Sequence, residues 1–492
     1  MTQHRWLRAK LVGGLAIVTA SACAPPALPP SASPAAPVAA ASPSATAPPA
    51  SSSVREVRMD MGRFGHGAYL RPSKPNGSLV LLLAPSAGLR GADGALAHSL
   101  AERGALVAQL DFDAYEQRLA AGAQDACSWP TADFQAMTKR VGKDAGLASF
   151  VAPVIVGIDE AAPMAVTAVA QAKPGMFRGV ITTGFCARLA LPSPPCAGAN
   201  ALGWAASTTA GRGRILPPRA MPAPWLAFAT RARAHCPAPE AEAFVSGTPS
   251  ATLERLDARG AESSEALVAA IEKMAAPAQP SAAAGGLADL PLIEMPATAG
   301  RSDLAAVFVS GDGGWASLDE QVASYLNARG VPVVGLSAVR YFWTQRAPDE
   351  VARDLARISR HYLDAWGKRR VLWVGYSAGA DAFGLVTARM PAELLAQVAA
   401  VALIGPGTRA DFEFHVTDWI PGEHGKRGVP ILPEALAIHG VPLLCVRGTE
   451  EPVSLCPLLP PGHATQLLLS GGHHFGGDYD AIGKAILDAA GH

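Results

Sequence analysis

Val371-Leu-Trp-Val-Gly-Tyr-Ser-Ala-Gly-Ala380 is a short apolar run that ends in a Gly-x-Ser-x-Gly pattern and leads into a helix-forming segment reaching Met390. The pattern alone carries little weight in a glycine-rich chain. Its setting matters more. A strand before it and a helix after it make the strand–turn–helix of a nucleophile elbow, in which the central Ser is forced into a strained turn above the strand's C-terminal end. The flanking glycines leave room for strand and helix to approach. The helix start aims N–H groups and partial positive charge at the same spot, where they would stabilise an oxyanion. Ser377 is therefore the candidate nucleophile, and the backbone N–H of Ala378 a candidate oxyanion donor.

Upstream, Ala305-Ala-Val-Phe-Val-Ser-Gly-Asp-Gly-Gly314 reads as a strand running into a glycine loop, followed by a helix ending at Arg329-Gly330 and a strand over 331–336. A backbone N–H of Asp312 or Gly313 is the expected second oxyanion donor. The same loop also suits a plain turn or a phosphate cradle. Downstream, a strand over 441–446 leads into Gly448-Thr-Glu-Glu451, and one over 465–469 leads into Gly471-Gly-His-His-Phe475. A triad in the order Ser, acid, His places its acid in the first of these loops and its base in the second. Glu451 is the expected acid, with Glu450 as the alternative, although a surface glutamate is the bland reading of either. His474, directly before Phe475, is the expected general base, with His473 as the alternative. Two adjacent histidines could instead bind a metal, but no acid or cysteine is spaced to complete such a site. Neither metal nor cofactor is expected.

Strands alternating with helical segments imply mostly parallel sheets covered by helices, the α/β-hydrolase class. Val351, Leu355, Ile358, Tyr362 and Trp366 recur at spacings of three and four and read as one core-facing stripe. The arrangement occurs twice. Ser78-Leu-Val-Leu-Leu-Leu-Ala-Pro-Ser-Ala-Gly88, Pro153-Val-Ile-Val-Gly157 and Pro224-Trp-Leu-Ala-Phe228 repeat the pattern of the second half. In this first copy the elbow is Gly157-Ile-Asp159-Glu160-Ala161, with Asp at the Ser position. No acid stands between Pro224 and Cys236, and Val245-Ser-Gly-Thr248 aligns with the histidine loop. The first copy is expected to be a degenerate, catalytically silent relative of the second.

The chain has 492 residues, 49% of them hydrophobic, and 41 basic residues balance 41 acidic ones. That charge balance, with no basic stripe interleaved with aromatics, argues against nucleic-acid binding. His4, Arg5, Arg8 and Lys10 precede an apolar run over 11–20 and then Ala20-Ser-Ala-Cys23. The run is shorter than the ~20 residues that span a bilayer and suits a signal peptide. Residues 1–23 are thus expected to export the protein to the periplasm, with Cys23 lipidated as the first mature residue. Ordinary cleavage after Ala22 is the alternative. Residues 24–53, nearly all Ala, Pro and Ser, read as a tether. Residues 275–287 read as a linker between a degenerate domain at 54–274 and a catalytic domain at 288–492. Seven cysteines suit an oxidising compartment. Cys445–Cys456 is the expected pair, while Cys127, Cys186, Cys196 and Cys236 leave three pairings open.

Gly311-Asp-Gly-Gly-Trp315, Tyr341-Phe-Trp343, Gly375-Tyr-Ser-Ala-Gly-Ala-Asp381, Ser454-Leu-Cys-Pro457 and Gly471-Gly-His-His-Phe-Gly-Gly-Asp-Tyr479 resemble the bacterial VirJ/AcvB virulence-protein family. The resemblance covers about 288–492, and the extra N-terminal half resembles that of the longer AcvB-type members. It differs at Ala378, where the family has an aromatic, and at Pro452 and Val453, where the family has acids. The resemblance implies a periplasmic serine esterase that releases the amino acid from aminoacylated phosphatidylglycerol, chiefly the lysyl form. Asp312 and Asp381 then become candidate partners of the cationic aminoacyl group, and a lipid anchor would hold the enzyme at its membrane substrate. A non-catalytic scaffold tied to secretion and a general carboxylesterase or lipase are the competing readings.

Overall fold

The computed structural model describes residues 53–121, 127–191, 193–198, 200–207, 212–229, 238–255, 261–277, 286–297, 302–315, 317–413 and 428–492. The expected signal peptide, Cys23, the tether apart from Ser53, and most of the expected linker lie outside them. Among the described residues twenty strands are formed. In the first half they are β1 (Val54–Asp60), β2 (His66–Pro72), β3 (Leu79–Ala84), β4 (Leu106–Asp111), β5 (Val154–Ile158), β6 (Gly179–Thr183), β7 (Arg188–Ala190), β8 (Gly203–Ala206), β9 (Arg212–Leu216), β10 (Trp225–Ala229) and β11 (Ala251–Arg255). The second half holds β12 (Leu292–Met295), β13 (Leu304–Val309), β14 (Val333–Leu336), β15 (Arg370–Tyr376), β16 (Val398–Ile404), β17 (Arg409–Ala410), β18 (Val429–Pro430), β19 (Leu443–Gly448) and β20 (Thr465–Leu469).

The eight-stranded sheet of the first half runs β1-β2-β4-β3-β5-β6-β10-β11, and the seven-stranded sheet of the second runs β12-β14-β13-β15-β16-β19-β20. From β2 onward the two orders correspond strand for strand. In each sheet the strand entering beside β4 or β14 pairs antiparallel with it and the pairs beyond are parallel, while β1 extends the first sheet by pairing antiparallel with β2. This is the α/β-hydrolase order, present twice in one compact unit spanning Ser52–His492.

The central strands β3, β5, β13 and β16 read as unbroken apolar runs because helices cover both faces, so each of their side chains meets a core. Along β13, Ala305, Val307 and Val309 join one cluster while Leu304, Ala306 and Phe308 join the opposite one. Along β3, Leu79, Leu81 and Leu83 part from Val80, Leu82 and Ala84 in the same way. The helix Pro348–Ala365 buries Val351, Leu355, Ile358 and Tyr362 against the second sheet, as its stripe predicts. Among the described residues, no helix is long and apolar enough to cross a membrane.

Three disulfide-bonded cysteines are described in the first half. Cys127 is joined to Cys196, Cys186 is also disulfide-bonded, and Cys236 lies outside the described residues. In the second half Cys445 of β19 is joined to Cys456, with Cα atoms 5.5 Å apart. That bond ties the strand before the acid loop to the short turn after it.

Candidate active site

Ser377 joins β15 to the helix Ala378–Val386 and has φ 52° and ψ −117°. A non-glycine residue there is strained, and the surroundings hold it. Its N–H donates to Ile404 O at 2.9 Å, and its carbonyl accepts from Asp381 N at 2.9 Å. The two flanking glycines are sterically required. A Cβ on Gly375 would sit 2.3 Å from the carbonyl oxygen of Gly379, and one on Gly379 would sit 2.0 Å from that of Val309. The Gly-x-Ser-x-Gly spacing thus records two points where backbone meets backbone.

The loop after β13 covers the elbow. A Cβ on Gly311 would lie 3.4 Å from that of Ser377. Gly314 N donates back to Gly311 O at 2.9 Å, closing a tight turn around Asp312 and Gly313. Ser310, fully buried, anchors the loop's base by accepting from Ala338 N at 3.0 Å through Oγ. The two loop positions expected to supply an oxyanion donor, Asp312 and Gly313, directly follow Gly311, the loop residue that meets Ser377.

Glu451 and His473 meet. His473 Nδ1 lies 2.5 Å from Glu451 Oε1, and Glu451 Oε2 accepts from Gly448 N at 2.7 Å. The Glu451 side chain is 6% exposed and that of His473 43% exposed, so the acid is buried and the imidazole reaches outward. Burial pushes the Glu451 carboxyl up, but the His473 and Gly448 hydrogen bonds outweigh it and hold it below its ordinary value. Both groups pack over Gly405, where a Cβ would lie 2.9 Å from the imidazole of His473 and 3.3 Å from Glu451 Oε1. Gly405 has φ 59°, so this position is open to glycine on both counts.

The expected base, His474, is not the residue that meets the acid. Its Nδ1 lies 3.3 Å from the hydroxyl of Tyr376, whose O–H also lies 3.1 Å from His473 O. The physical reason is the turn itself. Phe475 is fully buried and anchors the loop, while Gly471, at φ 87°, reverses the chain so that the residue two before Phe475 faces Glu451. Burial, and then the neighbouring His473, lower the pKa of His474, against a smaller opposing pull from Asp312. Glu450 is exposed and meets the histidine loop through its backbone N–H, which donates to Gly471 O at 3.0 Å.

Asp381, on the first turn of the elbow helix, accepts from Gly407 N at 2.7 Å. It keeps some contact with solvent, but protein atoms crowd it. Desolvation pushes its carboxyl from 3.8 up to about 7, against the pull of the Gly407 bond and His473, with Asp312 adding to the rise. The folded chain therefore keeps a proton that the unfolded chain releases, and stability falls as pH rises from about 4 through 7. Asn would keep the acceptor without the ionisation. Asp381→Asn is expected to be more stable than the parent at pH 8 by about 1–3 kcal/mol, with the gap closing by pH 4. Urea unfolding at both pH values checks this, and a gap independent of pH would refute it.

The first half keeps the shape of the elbow without its chemistry. Asp159 has φ 55° at the position of Ser377, and a Cβ on Gly157 would lie 2.6 Å from that of Ala165. The expected counterpart of the histidine loop needs correction. Val245 and Ser246 end the helix Ala238–Ser246, which precedes β11, whereas β11 pairs parallel to β10 as β20 pairs to β19. The true counterpart follows Arg255, in residues 256–260, which lie outside the described residues and contain no His in the sequence.

Residues 303–492 match the family model described as bacterial virulence protein (VirJ). No curated relative matches the chain. Among solved structures, the chain is similar to Est1E from Butyrivibrio proteoclasticus at 11% identity and TM-score 0.31, over 41% of this chain and 93% of that one. It is similar to XC6422 from Xanthomonas campestris, an α/β serine hydrolase without a lid, at 12% identity and TM-score 0.28, over 40% and 85%. For MenH from S. aureus the values are 13% and 0.31, over 41% and 99%. At these scores the likeness carries no argument of its own, and the strand order and elbow carry the fold.

Proposed function

We propose that this half of the chain, whose residues 303–492 match the VirJ family model, is a serine esterase that cleaves the aminoacyl ester of aminoacylated phosphatidylglycerol, chiefly lysyl-phosphatidylglycerol. The observation that carries it is the His473–Glu451 pair packed over Gly405, the residue after Ile404, whose carbonyl accepts from the strained, glycine-flanked Ser377. In the proposed reaction, Ser377 Oγ attacks the ester carbonyl and passes its proton to Nε2 of His473, since Nδ1 is committed to Glu451. The oxyanion is met by the Ala378 N–H and by a peptide of the Gly311–Gly314 turn. Collapse expels the glycerol hydroxyl of phosphatidylglycerol, which takes the proton from His473. Water, activated by the same imidazole, then releases the amino acid from Ser377.

An aminoacyl ester is activated, so this machinery suffices without a metal. The substrate's positive charge suits a site with the carboxylates of Asp312 and Asp381 at its edge. At pH 8, above the value of about 7 to which its carboxyl is raised, Asp381→Asn is expected to raise KM for lysyl-phosphatidylglycerol by roughly tenfold while leaving an uncharged ester unaffected, as loss of one charge contact predicts. The effect should shrink below pH 7, where the parent carboxyl is largely protonated. An equal change for both esters would assign Asp381 to holding Gly407 alone. Export through residues 1–23 and a lipid on Cys23 complete the reading, because a tethered enzyme meets a membrane substrate at high effective concentration.

The test is release of free lysine from lysyl-phosphatidylglycerol by the purified protein, with Ser377→Ala beside it. Release lost in the variant supports the reading. Equal release by both removes Ser377 from its role. Activity on short acyl esters with no aminoacyl preference would favour a general carboxylesterase. Two folded proteins silent on every ester would favour a scaffold.

A further inference from the structure

The loop that covers Ser377 is gripped from the silent half of the molecule. Lys139, buried on the helix Pro130–Asp144, donates through Nζ to Asp312 O at 2.6 Å and lies 3.7 Å from the Asp312 carboxylate. One turn earlier, Gln135 Nε2 donates to Gly313 O. One turn later, Lys143 donates to Trp343 O and pairs with Glu413 at 3.2 Å. These three residues, spaced by four, share one helix face. Trp343 completes the contact by donating through Nε1 to Leu147 O at 2.7 Å.

A trans peptide points the carbonyl of one residue and the N–H of the next in opposite directions. Holding Asp312 O against Lys139 therefore turns the Gly313 N–H away from Lys139. Holding Gly313 O against Gln135 does the same for the Gly314 N–H, which closes the turn onto Gly311. Without such a grip the peptide could turn over. Three of the four residues Gly311–Gly314 are glycines, and the loop's flank toward Leu292 and Met295 opens on a cavity of about 560 Å³. A buried ammonium is costly unless it is paired and hydrogen-bonded, and an apolar side chain would fill this space without that cost.

We propose that Lys139 is a positioning residue that fixes the Gly313 N–H as the second oxyanion donor for Ser377. The silent half thereby supplies a working part of the active site. This rests on reading Ser377 as the nucleophile of an esterase.

The test uses the full chain carrying Lys139→Met, which keeps the apolar length and removes the donor. Three readouts are taken: turnover of lysyl-phosphatidylglycerol, turnover of p-nitrophenyl acetate, and labelling of Ser377 by a fluorophosphonate. The variant is expected to lose on the order of 10²–10³ in kcat on both esters, as for removal of one oxyanion donor, with KM within about threefold. A folded variant with unchanged kcat, or one that loses activity only through KM, overturns the proposal while leaving the esterase reading intact. A parent protein that turns over neither ester and takes no label overturns both. If Lys139→Met does not fold, Gln135→Leu decides. Its kcat should fall roughly tenfold at constant KM, and an unchanged kcat overturns the proposal.

Discussion

Replacing His473 by Ala is expected to lower kcat for aminoacyl-lipid hydrolysis on the order of 10⁶-fold, about as much as Ser377→Ala, with the double variant no lower than either, because nucleophile and base act as one unit. His474→Ala should stay within roughly tenfold of the parent on the same scale. The contrast follows from where each ring sits. His473 Nδ1 is held by Glu451, so its other nitrogen faces outward with the tautomer set. His474 contacts the hydroxyl of Tyr376 and has no acid partner among the described contacts. Burial, and then the neighbouring His473, lower its pKa, which weakens it as a base. Steady-state kinetics of the three single variants and the double, with circular dichroism to confirm folding, decide the point. A large loss in His474→Ala with His473→Ala nearly active would return the base to His474.

The elbow could be read from sequence because its rule is local. Gly375 and Gly379 each face a backbone atom that a Cβ would strike, so their spacing about Ser377 is written into the chain. The sheets could be read for a similar reason, since β3, β5, β13 and β15 are apolar on both faces and need no partner to be recognised as buried strands. The choice between His473 and His474 could not be read. Adjacent residues share every sequence cue, and the decision rests on the chain reversal at Gly471 and the burial of Phe475. The grip on the loop after β13 was hidden more deeply, because Lys139 lies 173 residues from Asp312 and looks like any helix-surface lysine until the two halves pack. The counterpart of the histidine loop in the first half was misplaced because the helix Ala238–Ser246 falls between the aligned strand and the last one.

Glu451→Gln is expected to lower kcat on the order of 10⁴-fold, although it changes one atom and keeps the side chain's shape. Both carboxylate oxygens of Glu451 act as acceptors, Oε1 from His473 Nδ1 and Oε2 from Gly448 N. An amide can satisfy only one of them. If its oxygen stays with His473, its NH₂ faces the Gly448 N–H, donor against donor, in a buried place. If its oxygen turns to Gly448, its NH₂ faces Nδ1, which must then accept, and the imidazole carries its proton on Nε2, where it cannot take the proton of Ser377. Either arrangement loses the base or strains the loop that holds it. Stability should change with a defined sign as well. Glu451 has its pKa lowered on folding, so its contribution is present above the unfolded value near 4.3 and is lost as pH falls through the lower folded value. The Gln variant should therefore be the less stable protein at pH 7, with the difference shrinking toward pH 3. A variant with parental kcat would mean that His473 does not need its acid, and that the contact between them serves only to hold the loop.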